Sequence, residues 1–256
     1  RALSHQNNAF DIKEPFNGLF TQGMVCRETY KDKNNNWVSP DELISIDGKK
    51  FLKNSEEPIK VGPSESMSKS KKNTIDPENI IANYGADSVR IFILSDSPPE
   101  KDVQWSDSGM NSAFKYIQKF WLLNTKIKET INKDEKGVNE EVDIFVNKAI
   151  DKINSALENF RYNVIIAVLH EVHTFFNKLL EGKKNYKNLK ENYKKILIVM
   201  LPIIPHVANE CLSSINEEKN IKWPETEKKF LQNEKCNIVV QINGKKRSLL
   251  SVEQDL

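Results

Sequence analysis

Apolar residues recur at three- and four-residue steps through the middle of the chain. Val142, Phe145, Val146, Ala149, Ile150, Ile153, Leu157 and Phe160 share one helical face. Ile165, Leu169, Val172, Phe176 and Leu179 repeat the pattern in a following helix. An earlier helix is predicted to start near 106–108 and to carry Phe114, Ile117 and Trp121 inward. Leu189 to Met200 and Ile204 to Leu212 make a fourth, broken by Pro202 and Pro205. One stripe per helix and short connections predict an antiparallel bundle over residues 111–214.

The flanking regions read differently. Residues 1–75 are turn-rich, with short elements. Leu19 to Val25 reads as a strand and the loop beside it, and Ile44 to Leu52 as a hairpin about Asp47-Gly48. A second hairpin is expected across 33–36, between Tyr30 and Trp37, so residues 26–60 form a small β-rich insertion. Asp76 can cap a helix whose first position is Pro77 and which Gly85 ends. A further helix spans Ala86 to Leu94, and Pro98-Pro99 breaks the chain. Residues 237–247 read as two strands about Asn243-Gly244. A lone hairpin is marginal in water, so residues 215–256 are expected to be a linker and the start of another domain. No internal repeat is visible.

Composition narrows the class. Of 256 residues, 38% are hydrophobic and 29% charged, which suits a soluble, helical chain rather than a disordered one. The net charge of +2 does not announce a nucleic-acid binder, so any such role rests on local patches. Cys26, Cys211 and Cys236 are scattered, without metal-ligand or disulfide-framework spacing. No metal site is expected, and a reducing cytoplasm fits. The apolar stretch 196–208 is too short to span a bilayer, so no membrane is expected. The N-terminus has no signal-peptide pattern and no initiator methionine, which suggests a fragment.

Residues 67–73 read Met-Ser-Lys-Ser-Lys-Lys-Asn and resemble the Lys-Met-Ser-Lys-Ser signature of class I aminoacyl-tRNA synthetases. Ser66 stands where that signature begins with lysine, and no His-x-Gly-His-type tetrapeptide occurs. The chain therefore looks like the later part of such an enzyme. Several further segments, in order, are similar to bacterial-type leucyl-tRNA synthetases. They are Glu14-Pro15-Phe16, Thr21-Gln22-Gly23-Met24-Val25, Ile75-Asp76-Pro77, and Tyr84-Gly85-Ala86-Asp87 with Arg90. Val103 to Gly109, Leu201 to Ala208 and Val240 to Lys245 continue the series. The signature loop indicates class I broadly, whereas Thr-Gln-Gly-Met-Val with Trp-Ser-Asp-Ser-Gly favours leucine.

The resemblance implies an α/β part followed by a mainly α part. Residues 1–75 would end a Rossmann-like catalytic domain, 76–110 would be a connecting stem, and 111–214 a helical tRNA-binding bundle of the anticodon-binding type. It implies ATP, with Mg as counter-ion, leucine and leucine tRNA as partners, and N-terminal catalytic and editing regions outside this chain. This chain alone is then expected to be catalytically incomplete. Growing charge on departing pyrophosphate calls for positive groups on a mobile loop. On the family pattern Lys69 is the catalytic lysine. Ser68 and Ser70 would donate hydrogen bonds, Met67 would anchor the loop by packing, and Lys71 or Lys72 would make up for Ser66. Two rivals stay open: a non-catalytic tRNA-binding module, and a synthetase for another aliphatic amino acid.

Other residues draw attention. Lys178, Lys183, Lys184, Lys187, Lys190, Lys194 and Lys195 cluster with Tyr186 and Tyr193, as tRNA-phosphate contacts or as a solvated helix face. His170 and His173 lie three apart on a helix and read as structural rather than as half a metal site. His206 reads as a helix-start residue. Trp105 and Trp121 read as core aromatics, Asp107 or Ser108 as a cap, and Asp87 with Arg90 as a surface or interdomain pair.

Overall fold

The computed structural model describes residues 16–55, 57–182, 184–219, 221–231, 235–243 and 245–253. The chain divides into two compact units, one drawing on residues 1–83 and 96–110, the other on 84–95 and 111–256.

The first unit is organised on strand β1 (Val25–Lys31). The expected strand over 19–25 contributes only Val25, because the backbone before it bonds elsewhere. Gly23 N–H donates to Pro99 O (2.8 Å) and Met24 N–H to Asp102 Oδ1 (2.8 Å). A Cβ on Gly23 would overlap the Lys101 carbonyl, so only glycine permits this approach. After β1, the Asp32 carboxylate accepts from the backbone N–H of Asn34 and Asn36, and the chain returns through a Lys31–Trp37 bridge. That is the second expected hairpin in reduced form.

Strands β2 (Leu43–Ile46) and β3 (Lys49–Leu52) pair as expected, with Asp47 at φ 47° and Gly48 at φ 76° in the primed turn that matches strand twist. Tyr30, Val38 and Ile59 form a small buried cluster against which Leu43 and Leu52 pack. Strand β4 (Lys60–Ser66) then runs antiparallel to β1.

Helix α1 (Pro77–Tyr84) starts as its sequence dictates: Asp76 Oδ1 accepts from Glu78 N–H (3.0 Å), and Gly85 at φ 78° ends it. Helix α2 (Ala86–Ser95) follows, then the short strand β5 (Val103–Gln104), which pairs parallel to β1 to give the order β4-β1-β5. Helix α3 (Asp107–Ile131) is capped by Ser106, whose Oγ accepts from Gly109 N–H (2.9 Å). Asp107, one of the two expected caps, instead accepts from Trp105 Nε1 (3.0 Å).

The second unit is helical. Its buried apolar α3 positions are Ala113, Tyr116, Phe120, Leu123 and Ile127, whereas Trp121 is 40% exposed. The inward stripe is thus rotated one residue from Phe114, Ile117 and Trp121. Apolar residues occupy both phases of this helix, and Tyr116 decides between them: its hydroxyl donates to the buried Leu169 carbonyl (3.0 Å). Helices α4 (Glu140–Glu158) and α5 (Tyr162–Glu181) bury most of the predicted stripes, with Phe145 and Leu157 half-buried and two changes at the ends. Phe160, at φ 53° and 45% exposed, lies beyond α4, and Leu180 rather than Leu179 is buried.

Two short strands, β6 (Glu135–Lys136) and β7 (Asn185–Tyr186), pair parallel and set the C-terminal ends of α3 and α5 side by side. Buried Asn185 donates from Nδ2 to the carbonyls of Ile131 and Lys133 (3.3 and 2.8 Å), satisfying groups that a helix end leaves free. Helix α6 (Leu189–Met200) packs on α4, fixed by Asn188 and Asn192 donating to the Asp143 carboxylate (2.7 and 2.6 Å).

Helix α7 (Pro205–Ser214) follows the proline break. Arg90 and Asp87 do not pair with each other. Arg90 donates from Nε to Ile203 O (2.7 Å) and from Nη2 to Pro202 O (2.6 Å), while Asp87 Oδ2 accepts from Val207 N–H (2.7 Å). The break leaves carbonyls and first-turn N–H groups without helical partners, and α2 supplies both kinds of partner from over 110 residues away. The short helix α8 (Lys228–Leu231) precedes strands β8 (Lys235–Ile242) and β9 (Lys245–Glu253), paired antiparallel with Asn243 at φ 52°. Glu14, Pro15, Lys183 and Gly244 lie outside the described residues.

Replacing Asp87 by Ala should cost about 1–3 kcal/mol, because it strands a donor at the start of α7. Denaturant unfolding followed by helical signal checks this, and an unchanged midpoint would contradict the capping role.

Candidate functional site

The Ser/Lys loop hangs from the end of β4 and is pinned at its base. Met67 N–H donates to Val25 O (3.1 Å), continuing the sheet by one bond. Asn73 is 1% exposed and closes the loop. Its Oδ1 accepts from Ser68 N–H (2.8 Å), and its Nδ2 donates to the carbonyls of Glu65 (3.2 Å), Arg27 (3.3 Å) and Ser66 (3.5 Å). A buried carboxamide with both ends satisfied is a rigid staple, since leaving either end unpaired is costly. Asn73 ends the sequence motif with no role legible there; its burial depends on β1 and β4 lying side by side.

Above the staple, Ser68 Oγ and Ser70 Oγ lie 2.9 Å apart, and Ser68 Oγ also accepts from Lys71 N–H (3.3 Å). Lys72 N–H donates to Lys69 O (3.2 Å), closing a turn over 69–72. Lys69 and Lys72 are exposed, and neither ammonium has a partner among the described residues. Lys71 is different: its ammonium is paired with Glu65. Met67 is half-buried. The six predicted loop residues, Met67 to Lys72, are therefore together, with two free cations and two hydroxyls on one tether.

The same unit joins segments far apart in sequence. Residues 23–26 run beside 99–105 through Val103 N–H to Met24 O (2.9 Å) and Trp105 N–H to Cys26 O (2.7 Å). The Thr-Gln-Gly-Met-Val stretch, the Val-Gln-Trp stretch and the loop base thus all meet on β1. Trp105 is half-buried here.

Within the 178–195 cluster the described lysines differ in their surroundings. Lys190 and Lys194 both bind Glu217 (2.8 and 2.7 Å), and Tyr193 is fully buried with its hydroxyl donating to Asn124 Oδ1 (3.1 Å), so it cannot stack on a base. Lys178 instead joins Lys119 and Lys126 around a groove of about 600 Å³, also lined by His173, Asn177 and Leu122. Lys119 and Lys126 stand two helical turns apart on α3, a spacing present in the sequence whose meaning needed α5 beside it.

His170 lies against Tyr116, with centroids 4.4 Å apart, and His173 is contacted by Asn177. Burial pushes both imidazoles below their ordinary pKa; the Lys119 ammonium adds to the shift at His170, whereas at His173 a hydrogen bond to the Lys119 backbone works against it. His206 sits exposed in the first turn of α7. Among the described residues no group of three or more His, Cys, Asp or Glu could hold a metal ion.

Comparison with known proteins places the chain. Residues 59–106 match the family described as tRNA synthetases class I (I, L, M and V), and residues 141–256 match the anticodon-binding domain of tRNA ligase. A leucine–tRNA ligase of Wolbachia pipientis (strain wPip) is 38% identical over 255 residues, covering 96% of this chain. That of Bartonella quintana is 39% identical over 260 residues, covering 94%. Over nearly its whole length the chain is thus similar to one part of the leucine–tRNA ligases, which are class I tRNA synthetases. It spans about 30% of the length of the curated relatives it matches. The ternary complex of Agrobacterium radiobacter K84 agnB2 LeuRS with tRNA and LeuAMS matches with a TM-score of 0.66 at 22% identity, over 99% of this chain and 29% of that one. That likeness shows a shared fold. The class I match covers the signature loop and its staple, and the anticodon-binding match covers α4 onward.

Two outcomes follow for this site. Asn73→Ala should speed amide hydrogen exchange at Ser68 and the turn after it by about tenfold or more, for a loss of roughly 1–3 kcal/mol. Exchange measured residue by residue checks it, and unchanged protection at Ser68 would refute the staple. The depressed imidazole pKa values carry a definite sign. The unfolded groups titrate near 6.5 and the folded ones lower, so their stabilisation is complete above 6.5 and is lost as pH falls through the folded values. The denaturant midpoint should therefore fall between about pH 7.5 and about pH 5.5, and by less in a His170→Gln/His173→Gln variant.

Proposed function

We propose that this chain is the part of a leucine–tRNA ligase that carries the phosphate-facing loop and a tRNA-binding helical region. The observation that carries the reading is the stapled loop, with unpartnered Lys69 beside two serine hydroxyls, in a chain 35–39% identical to leucine–tRNA ligases. In the whole enzyme the carboxylate of leucine attacks the α-phosphate of ATP. A carboxylate–phosphorus bond forms, the bond to the leaving pyrophosphate breaks, and the aminoacyl group then passes to a hydroxyl at the 3′ end of leucine tRNA.

Lys69 is positioned to neutralise charge growing on the pyrophosphate, where a preorganised ammonium contributes most in the transition state. Ser68 and Ser70 supply donors, and Met67 seats the loop. The donor set suits a polyphosphate: ammonium and hydroxyl groups, with the Glu65 carboxylate at the loop base neutralised by Lys71. Mg would then arrive as the counter-ion of ATP. Residues 1–75 would close a Rossmann-like domain with the 26–60 insertion, 76–110 would be the stem, and 111–214 an antiparallel bundle. Residues 215–256 would lead into a C-terminal domain. A cytoplasmic setting suits the buried free thiols of Cys26 and Cys211, and no described helix is long and apolar enough to cross a membrane. Ser66 favours a second reading, a tRNA-binding module without catalysis.

Lys69→Ala in the complete ligase should lower leucine-dependent ATP–pyrophosphate exchange by at least about tenfold, about 1.4 kcal/mol of barrier. A loss within about threefold would favour the module instead. The chain by itself should show no exchange. For the tRNA partner, reversing Lys119, Lys126 and Lys178 to Glu should weaken binding of leucine tRNA. It should also flatten the salt dependence by about one log–log unit for each phosphate no longer neutralised. Filter binding across salt concentrations reads this, and an unchanged slope would remove the groove from the interface.

A further inference from the structure

Three lysines crowd the loop, and only two are available to a ligand. Lys71 turns back onto Glu65 of β4, and each side chain of the pair is about one-third exposed. Adjacent strand residues point to opposite faces, so Glu65 and Ser66 do not share one. While it holds Glu65, Lys71 cannot stand in for an ammonium at position 66.

Lys72 is free. The Lys72 N–H to Lys69 O bond makes residues 69 and 72 the two ends of one turn, with Cα atoms within about 7 Å. Both side chains are exposed and unpartnered among the described residues, so two flexible ammonium stems leave neighbouring points. Their mutual repulsion is relieved by an anion carrying two or more charges between them.

Lys72 also sits at φ 53°, the left-handed region that glycine or asparagine occupies at lower cost. A lysine held there costs about 1 kcal/mol or more, and such strain concentrates at sites where the side chain is needed. Chain reversal alone would be served better by glycine.

We propose that Lys72 is a second polyphosphate-binding cation, acting with Lys69 across one turn, while Glu65 holds Lys71 out of the site. The proposal rests on the reading of this loop as the phosphate-facing element and assigns which of its cations do the work. It makes the ammonium missing at Ser66 the contribution of a residue inside the turn.

The test is titration of this chain with inorganic pyrophosphate, followed by NMR amide shifts over residues 66–73. Lys69→Ala and Lys72→Asn should each weaken binding about three- to fivefold, the worth of one solvent-screened charge pair. Asn keeps the left-handed turn, so its effect reports the lost ammonium. Lys71→Gln, and Lys49→Gln at the start of β3 as a control for net charge, should stay within about 1.5-fold. Wild-type affinity in Lys72→Asn, with Lys69→Ala weakened, would overturn the assignment and leave the loop reading standing. Equal weakening in Lys71→Gln or Lys49→Gln would also overturn it, since charge alone would then explain binding. No saturable shift in the wild type, or an unaffected Lys69→Ala, would instead defeat the loop reading, and the proposal with it.

Discussion

Strand β1 is hydrogen-bonded along both edges, and the base of the Ser/Lys loop takes its position from that strand. On one edge it holds β4, the Met67 amide and, through Arg27 O, the Asn73 carboxamide. On the other it holds β5, and just before its first residue Gly23 lies against the 99–102 turn. Backbone ladders leave little freedom in register, because slipping one residue turns every side chain to the opposite face. A loop set on such a strand can move above its staple while its base stays fixed. That combination suits a loop that must close on a charged ligand and let it go.

The helical unit solves a different problem with similar means. Pro202 and Pro205 interrupt what would otherwise be one long helix, and an interruption leaves carbonyls and N–H groups without helical partners. Arg90 and Asp87 satisfy both sides of the break from a single helix. Asn185 does the same for the end of α3, and the Asp143 carboxylate gathers Asn188 and Asn192 at the start of α6. Polar side chains thus fix the helix ends, while Phe120, Ile150, Leu169 and Ile196 fill the space between them.

Electrostatics divides the lysines into occupied and free. Lys190 and Lys194 are held by Glu217, and Lys71 by Glu65. A count of charges along the chain would have treated all of them alike. Lys69 and Lys72 in one unit, and Lys119 and Lys178 in the other, have no ion-pair partner among the described residues. Free charge of this kind, rather than the net charge of +2, is what an anionic ligand meets.

The helices, the β2–β3 hairpin and the Asp76–Pro77 start were legible in the sequence. They depend on local periodicity and on the φ preferences of Gly, Asp, Asn and Pro, which act within a few residues. The inward phase of α3, the absence of strand structure over the described residues 16–24, the partners of Asp87 and Arg90, and the burial of Asn73 and Tyr193 were decided only by the tertiary structure. Each depends on a hydrogen bond or packing contact from a segment tens of residues away, and a one-dimensional pattern carries no record of which segment arrives. The loop makes the division plain. Its run of serines and lysines is plain in the sequence, whereas which of its lysines is free follows from where Glu65 stands.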